Sequence, residues 1–166
     1  MVSSATKGAE FEREICKKLS MWVSKGKRDD VFWRSAMSGG RATIGLREGK
    51  NRDARSGDIS SIHAMGNKFT DHTYVEMKFY KDLQLHLLIT QQTGNLYSFW
   101  NTVLIESRAF KKDPRLVAKQ NRQPILLCTK FLNNKSIRDL VIAQFPVMDL
   151  QIYRLDDYLK RTRFNG

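Results

Sequence analysis

The chain predicts a mixed α/β fold in which helices cover a small mixed β-sheet. Apolar residues make up 41% of its 166 residues and aromatics 10%, enough for one sizeable core and too much for a disordered basic tail. Two segments with helical apolar spacing, 7–23 and 94–110, bracket several short runs rich in β-branched and aromatic residues. The order of these segments, α, β, β, β, α, β, β, suits a sheet of both strand directions packed between helices.

The first helix, 7–23, carries Phe11, Ile15, Leu19, Trp22 and Val23 on one face. Thr6 is its expected N-cap, Glu10, Glu12 and Glu14 suit the positive end of the helix dipole, and Lys25-Gly26-Lys27 marks its end. A strand is expected at 31–37. The polar stretch 38–57 holds five glycines without sustained apolar periodicity and reads as a loop, basic and mobile over 39–57. Runs 58–64 and 72–80 read as a central β-hairpin closed by Met65-Gly66-Asn67-Lys68-Phe69. Segment 81–93 is ambiguous, and 94–110 is helical through Leu96, Phe99, Trp100, Val103 and Leu104. Strands at 116–119 and 125–129 flank a turn at 121–124, followed by a short helix at 136–143, a strand at 148–154 and a polar, partly helical tail. No linker or repeat divides the chain, so one domain over 1–166 is expected, with a C-terminal extension after about 132.

Composition also narrows the partners. Lys and Arg number 29 against 17 Asp and Glu, a formal charge of +12, and phosphate backbones reward clustered cations by counterion release. Solubility alone would also account for the charge. No apolar run approaches the ~20 residues that span a bilayer, and no secretory leader is legible. A protein of the cytoplasm or nucleoid, or of a host cytoplasm if viral, is expected. Cys16 and Cys128 stand too far apart in sequence for a CxxC motif, and with three histidines a structural zinc site is not expected. His63 and His72, on the two hairpin strands, would pack there rather than bind metal.

Chemistry concentrates in Tyr74-Val75-Glu76-Met77-Lys78-Phe79. Strand side chains alternate, so Val75, Met77 and Phe79 take one face while Glu76 and Lys78 share the other. Asp58 begins the neighbouring strand. Two converging carboxylates make an oxygen-rich site for a hard divalent cation such as magnesium, and an adjacent lysine would orient or help deprotonate the attacking water and offset the charge growing on a phosphate. An ordinary ion pair on an exposed strand is the plainer reading of Glu76 and Lys78 alone.

Glu12 on the first helix, Gly57-Asp58, and after 17 residues Glu76-Met77-Lys78 together resemble the PD-(D/E)XK nuclease superfamily, with Gly57 where that signature has proline. Lys7-Gly8-Ala9-Glu10-Phe11-Glu12-Arg13 and Arg34-Ser35-Ala36-Met37-Ser38-Gly39 resemble more specifically the opening of archaeal-type Holliday junction resolvases. The resemblance covers roughly residues 6–130. The loop between Ser38 and Asp58 is longer than in those resolvases, and nothing after about 132 has a counterpart in them.

The resemblance implies a restriction-endonuclease-like core and a metal-dependent DNA endonuclease. Asp58, Glu76, the Met77 carbonyl and Glu12 would hold magnesium, for which manganese substitutes. Lys78 would position the water, and Arg34 and Ser38 would lie beside the scissile phosphate. A junction substrate cut by two symmetric nicks implies a homodimer, with no small-molecule cofactor and no membrane. A repair, restriction or phage nuclease of the same superfamily, or a nucleic-acid-binding protein without activity, remain as alternatives.

The basic residues gather in two segments. Arg34, Arg41, Arg47, Lys50, Arg52 and Arg55 stand against Glu48 and Asp53, and Arg108, Lys111, Lys112, Arg115, Lys119 and Arg122 against Asp113. The first segment is expected to grip DNA, together with Lys7 and Arg13 of the first helix.

Overall fold

A computed structural model describes residues 4–35 and 57–164; the expected loop at 39–57, apart from Gly57, lies outside them, as do Ser38, Arg41, Arg47, Lys50, Arg52 and Arg55. Helix α1 (Ser4–Val23) leads to a ribbon of β1 (Phe32–Arg34) and β2 (Ile59–Ser61), then α2 (Ala64–His72) and β3 (Thr73–Tyr80). Helices α3 (Leu85–Gln91) and α4 (Asn95–Ala109) precede β4 (Asp113–Gln120) and β5 (Leu126–Thr129). A 3₁₀ turn at Lys135–Leu140, β6 (Val141–Phe145), a second at Pro146–Met148, β7 (Leu150–Arg154) and α5 (Leu155–Arg161) complete the order.

The main sheet runs β3-β4-β5-β7-β6, with β3 parallel to β4 and the remaining pairs antiparallel. Alternation along its strands splits the core into two layers. Phe11, Ile15, Leu19 and Val23 of α1 pack on one face with Val75, Met77, Val117 and Leu127. Leu88, Leu96, Trp100 and Val103 of α3 and α4 pack on the other with Tyr74, Leu116, Ala118 and Cys128. Each large apolar side chain so buried stabilises by roughly 1.5–3 kcal/mol. Helix, sheet and helix thus form the mixed arrangement expected from the element order, consistent with the restriction-endonuclease-like core that the resemblance implies.

The expected hairpin is absent. Residues 64–72, read as turn and strand, form α2; β2 pairs with β1, and β3 pairs with β4. His63 caps α2, its Nδ1 accepting from the Met65 N–H at 3.2 Å. Gly66 serves close packing rather than a turn. A Cβ there would lie 2.5 Å from Ser61 Oγ, 2.7 Å from the Phe32 ring and 2.9 Å from Val31. His63 and His72 therefore bracket a helix instead of facing each other across strands.

Smaller departures have similar causes. Helix α1 starts at Ser4, so Thr6 lies within it rather than at its cap. It ends as expected: Lys25 turns left-handed (φ 55°) and the Gly26 N–H reaches back to the Met21 carbonyl at 2.7 Å. The expected strand at 31–37 is described only over Phe32–Arg34. Charged residues and Pro114 hid the start of β4. In the expected helix at 136–143, Ile137, Leu140 and Val141 mimic a helical stripe. The chain instead makes a 3₁₀ turn capped by Asn134 Oδ1 on the Ser136 N–H at 3.0 Å, then enters β6. β7 lies inside the sheet between β5 and β6.

Candidate active site

The edge of β3 opposite β4 is met by the chain entering β2. Gly57 forms a parallel bridge to Val75, and the Asp58 N–H donates to the Val75 carbonyl at 2.8 Å. Contact is so close that a Cβ on Gly57 would sit 2.1 Å from the Val75 oxygen, and φ there is +78°. Proline, locked near −65°, does not fit that conformation, so glycine delivers the acidic residue here. The Ser35 N–H donates to the Asp58 carbonyl at 2.8 Å, fastening the end of β1 to the same point.

Asp58 is buried, and its Oδ2 accepts the Met77 N–H at 2.7 Å. The N–H and C=O of one strand residue leave the strand on the same side, so the Met77 carbonyl emerges on the edge that Asp58 occupies. Glu76 and Lys78 lie on the α4 face of β3, Lys78 Nζ 2.5 Å from Glu76 Oε1. Glu12 comes from α1, across the strand, with Oε2 2.8 Å from Arg34 Nε. Oε2 is buried, and this guanidinium is its ion-pair partner. Five expected residues, Glu12, Arg34, Asp58, Glu76 and Lys78, thus gather around one edge, with the backbone of Met77. Lys7 and Arg13 face solvent on α1.

Burial sets the electrostatics of the acidic cluster. Burial, and then the charge of Glu76, push the Asp58 carboxyl up to about 8, against the Met77 N–H and Lys78. Burial likewise raises Glu76 despite Lys78. For Lys78, burial opposes the charge, but Glu76, Asp58 and Glu106 outweigh it and hold the ammonium above the usual lysine range. Among the described residues no three His, Cys, Asp or Glu side chains close on one point. Magnesium asks for less, because it keeps several waters and takes one or two carboxylates together with substrate phosphate. Asp58, Glu76 and the Met77 carbonyl are the oxygen groups here that could answer that requirement, and Glu12, paired with Arg34, completes the acidic cluster.

Several neighbours were not legible in the sequence. The Cys16 thiol, one helical turn after Glu12, is pushed up to about 12 by burial and then by Glu12 and Asp58. Tyr74 donates to Glu106 Oε2 at 2.5 Å, and Glu106 in turn acts on Glu76 and Lys78. Phe99, Val103 and Glu106 share one stripe of α4 over β3, and only this spacing hinted at Glu106. Part of the second basic segment is taken up internally: Lys112 donates to the Thr70 carbonyl, and Lys119 pairs with Glu14 at 3.4 Å and lies over the Phe11 and Phe79 rings.

Residues 3–164 match the model of a family described as "Phage putative PDDEXK endonuclease". The match extends through the segment after 132. No curated protein and no solved structure matches the chain.

Proposed function

The chain belongs to the phage PDDEXK endonuclease family, and we propose that it hydrolyses DNA phosphodiester bonds with magnesium held at the edge of β3, manganese substituting. The observation that carries this reading is the buried Asp58 carboxylate, fixed by the Met77 N–H beside the Glu76–Lys78 pair. Asp58, Glu76 and the Met77 carbonyl would hold the ion, with Glu12 reaching it through water. Bound there, a divalent ion supplies Lewis acidity and a more acidic water.

Lys78 keeps its proton, so it acts as a donor. Its ammonium would orient the attacking water and meet the charge growing on the phosphate. Glu12 braces Arg34 at 2.8 Å, and Arg34 would present its guanidinium to a phosphate oxygen, joined by Ser38. Arg41, Arg47, Lys50, Arg52, Arg55, Lys7 and Arg13 would hold the duplex backbone.

Within this activity the four-way junction is the substrate we propose. Support comes from the likeness of 7–13 and 34–39 to junction resolvases and from the pairing of Glu12 with Arg34, one functional residue of each segment. Two symmetric nicks in one junction require a twofold homodimer. The test is cleavage of a synthetic four-way junction, a linear duplex and a single strand, each with magnesium or chelator, by wild type and Asp58→Asn. Expected is magnesium-dependent cutting, fastest on the junction, falling at least ~100-fold in the variant. No cutting of any substrate overturns the nuclease reading; equal cutting of duplex and junction by a monomer overturns the junction reading alone.

A further inference from the structure

On β3 the side chains of Tyr74, Glu76, Lys78 and Tyr80 share the face covered by α4. Helix and strand run in opposite directions, since Tyr74 stacks on Phe110 and bonds Glu106, whereas Tyr80 meets Phe99. The two ends differ in exposure. Tyr74 is closed in at 5% exposed, but Tyr80 is 47% exposed. The Tyr80 and Phe99 rings meet edge to face, centroids 5.3 Å apart at 74°, a contact that fixes the tyrosine ring while leaving about half the residue in water. Lys78 Nζ lies 5.9 Å from the centre of the same Phe99 ring and 2.5 Å from Glu76. Exposed Tyr80, backed by the half-buried Phe99, is therefore continuous with the lysine and carboxylate of the site, with exposed Lys81 next along the chain.

We propose that Tyr80, steadied by Phe99, is a stacking platform for an unpaired base beside the phosphate that is cut; this rests on the nuclease reading above. Tyr80 lies two residues past Lys78, about 7 Å along the strand, or roughly two nucleotide steps of a B-form strand. A phosphate met by the Lys78 ammonium leaves the platform facing a base one or two steps away. Bases in an intact duplex stack on each other and offer no π-face. The platform therefore selects DNA in which that base is already out of the stack, as at a gap, flap or branch point. Aromatic stacking accepts any base, so the preference is for structure rather than sequence.

The experiment compares wild type, Tyr80→Ala and Tyr80→Phe on a fully paired duplex and on a matched duplex with a short single-stranded gap, with 2-aminopurine at the unpaired position. Binding is read in chelator and cleavage in magnesium. Expected for Tyr80→Ala is a loss of roughly 10-fold in affinity and in kcat/KM on the gapped DNA only, with loss of the 2-aminopurine quenching that wild type and Tyr80→Phe produce. Equal effects on both DNAs, or none on either, overturn the platform. Should no protein cut any DNA, the nuclease reading fails, while quenching in chelator still decides the platform by itself.

Discussion

Asp58 keeps its carboxyl inside the protein with Glu76 beside it, which is costly in the absence of a cation. Its folded value is about 8 against an ordinary value of 3.8. Between those values the folded state binds a proton that the unfolded chain releases, so this group's contribution to stability is full below pH 3.8 and is lost as pH rises through 8. Asp58→Asn removes the titration and keeps an acceptor for the Met77 N–H. In chelator, the variant's stability advantage over wild type should grow from about pH 4 to pH 8, reaching on the order of 1–3 kcal/mol, or roughly 3–10 °C in Tm. Thermal melts across that range check it, and an advantage independent of pH would refute the account. Glu76 and Lys78 were readable as sharing one face because strand alternation assigns faces from sequence alone. Cys16 and Glu106 were not, because an inert thiol and a helix glutamate look ordinary until packing brings them to the site.

Elements were legible where one period dominates. α1, α4 and β3 stand near where apolar spacing puts them, whereas 64–72 was misread because Gly66-Asn67 has the chemistry of a hairpin turn. The convergence of Asp58 on β3 was right and its cause was not: a left-handed glycine and a single parallel bridge bring the chains together without any hairpin. Gly66 separates the two readings experimentally. At an exposed helix position Gly→Ala stabilises by up to about 1 kcal/mol. Here the added methyl meets Ser61, Phe32 and Val31 at under 3 Å, so Gly66→Ala should destabilise by about 1–3 kcal/mol. A lowered urea midpoint with an unchanged m-value is expected, and an unchanged or raised midpoint would mean that α2 does not pack on the β1–β2 ribbon as described.

At the scale of the whole molecule, the charge of +12 and the acidic site pull on DNA in opposite senses. Cations spread over the surface attract phosphate, while the carboxylates of Glu12 and Glu76 at the edge of β3 work against it until a divalent ion is bound. Part of the positive charge is occupied in folding, as Lys112 and Lys119 are, so the total overstates what faces DNA. Holding and cutting should then separate. In chelator, Glu76→Gln should bind a DNA duplex at least as tightly as wild type, because one repelling charge has gone, while losing cleavage in magnesium. Affinity of both proteins should fall roughly 100-fold between 50 and 200 mM salt, the loss that about four phosphate contacts produce. Fluorescence anisotropy over a salt series measures both effects. Binding indifferent to salt would disconnect the net charge from DNA, and a Glu76→Gln variant that binds more weakly than wild type would mean that the acidic edge does not face the phosphate.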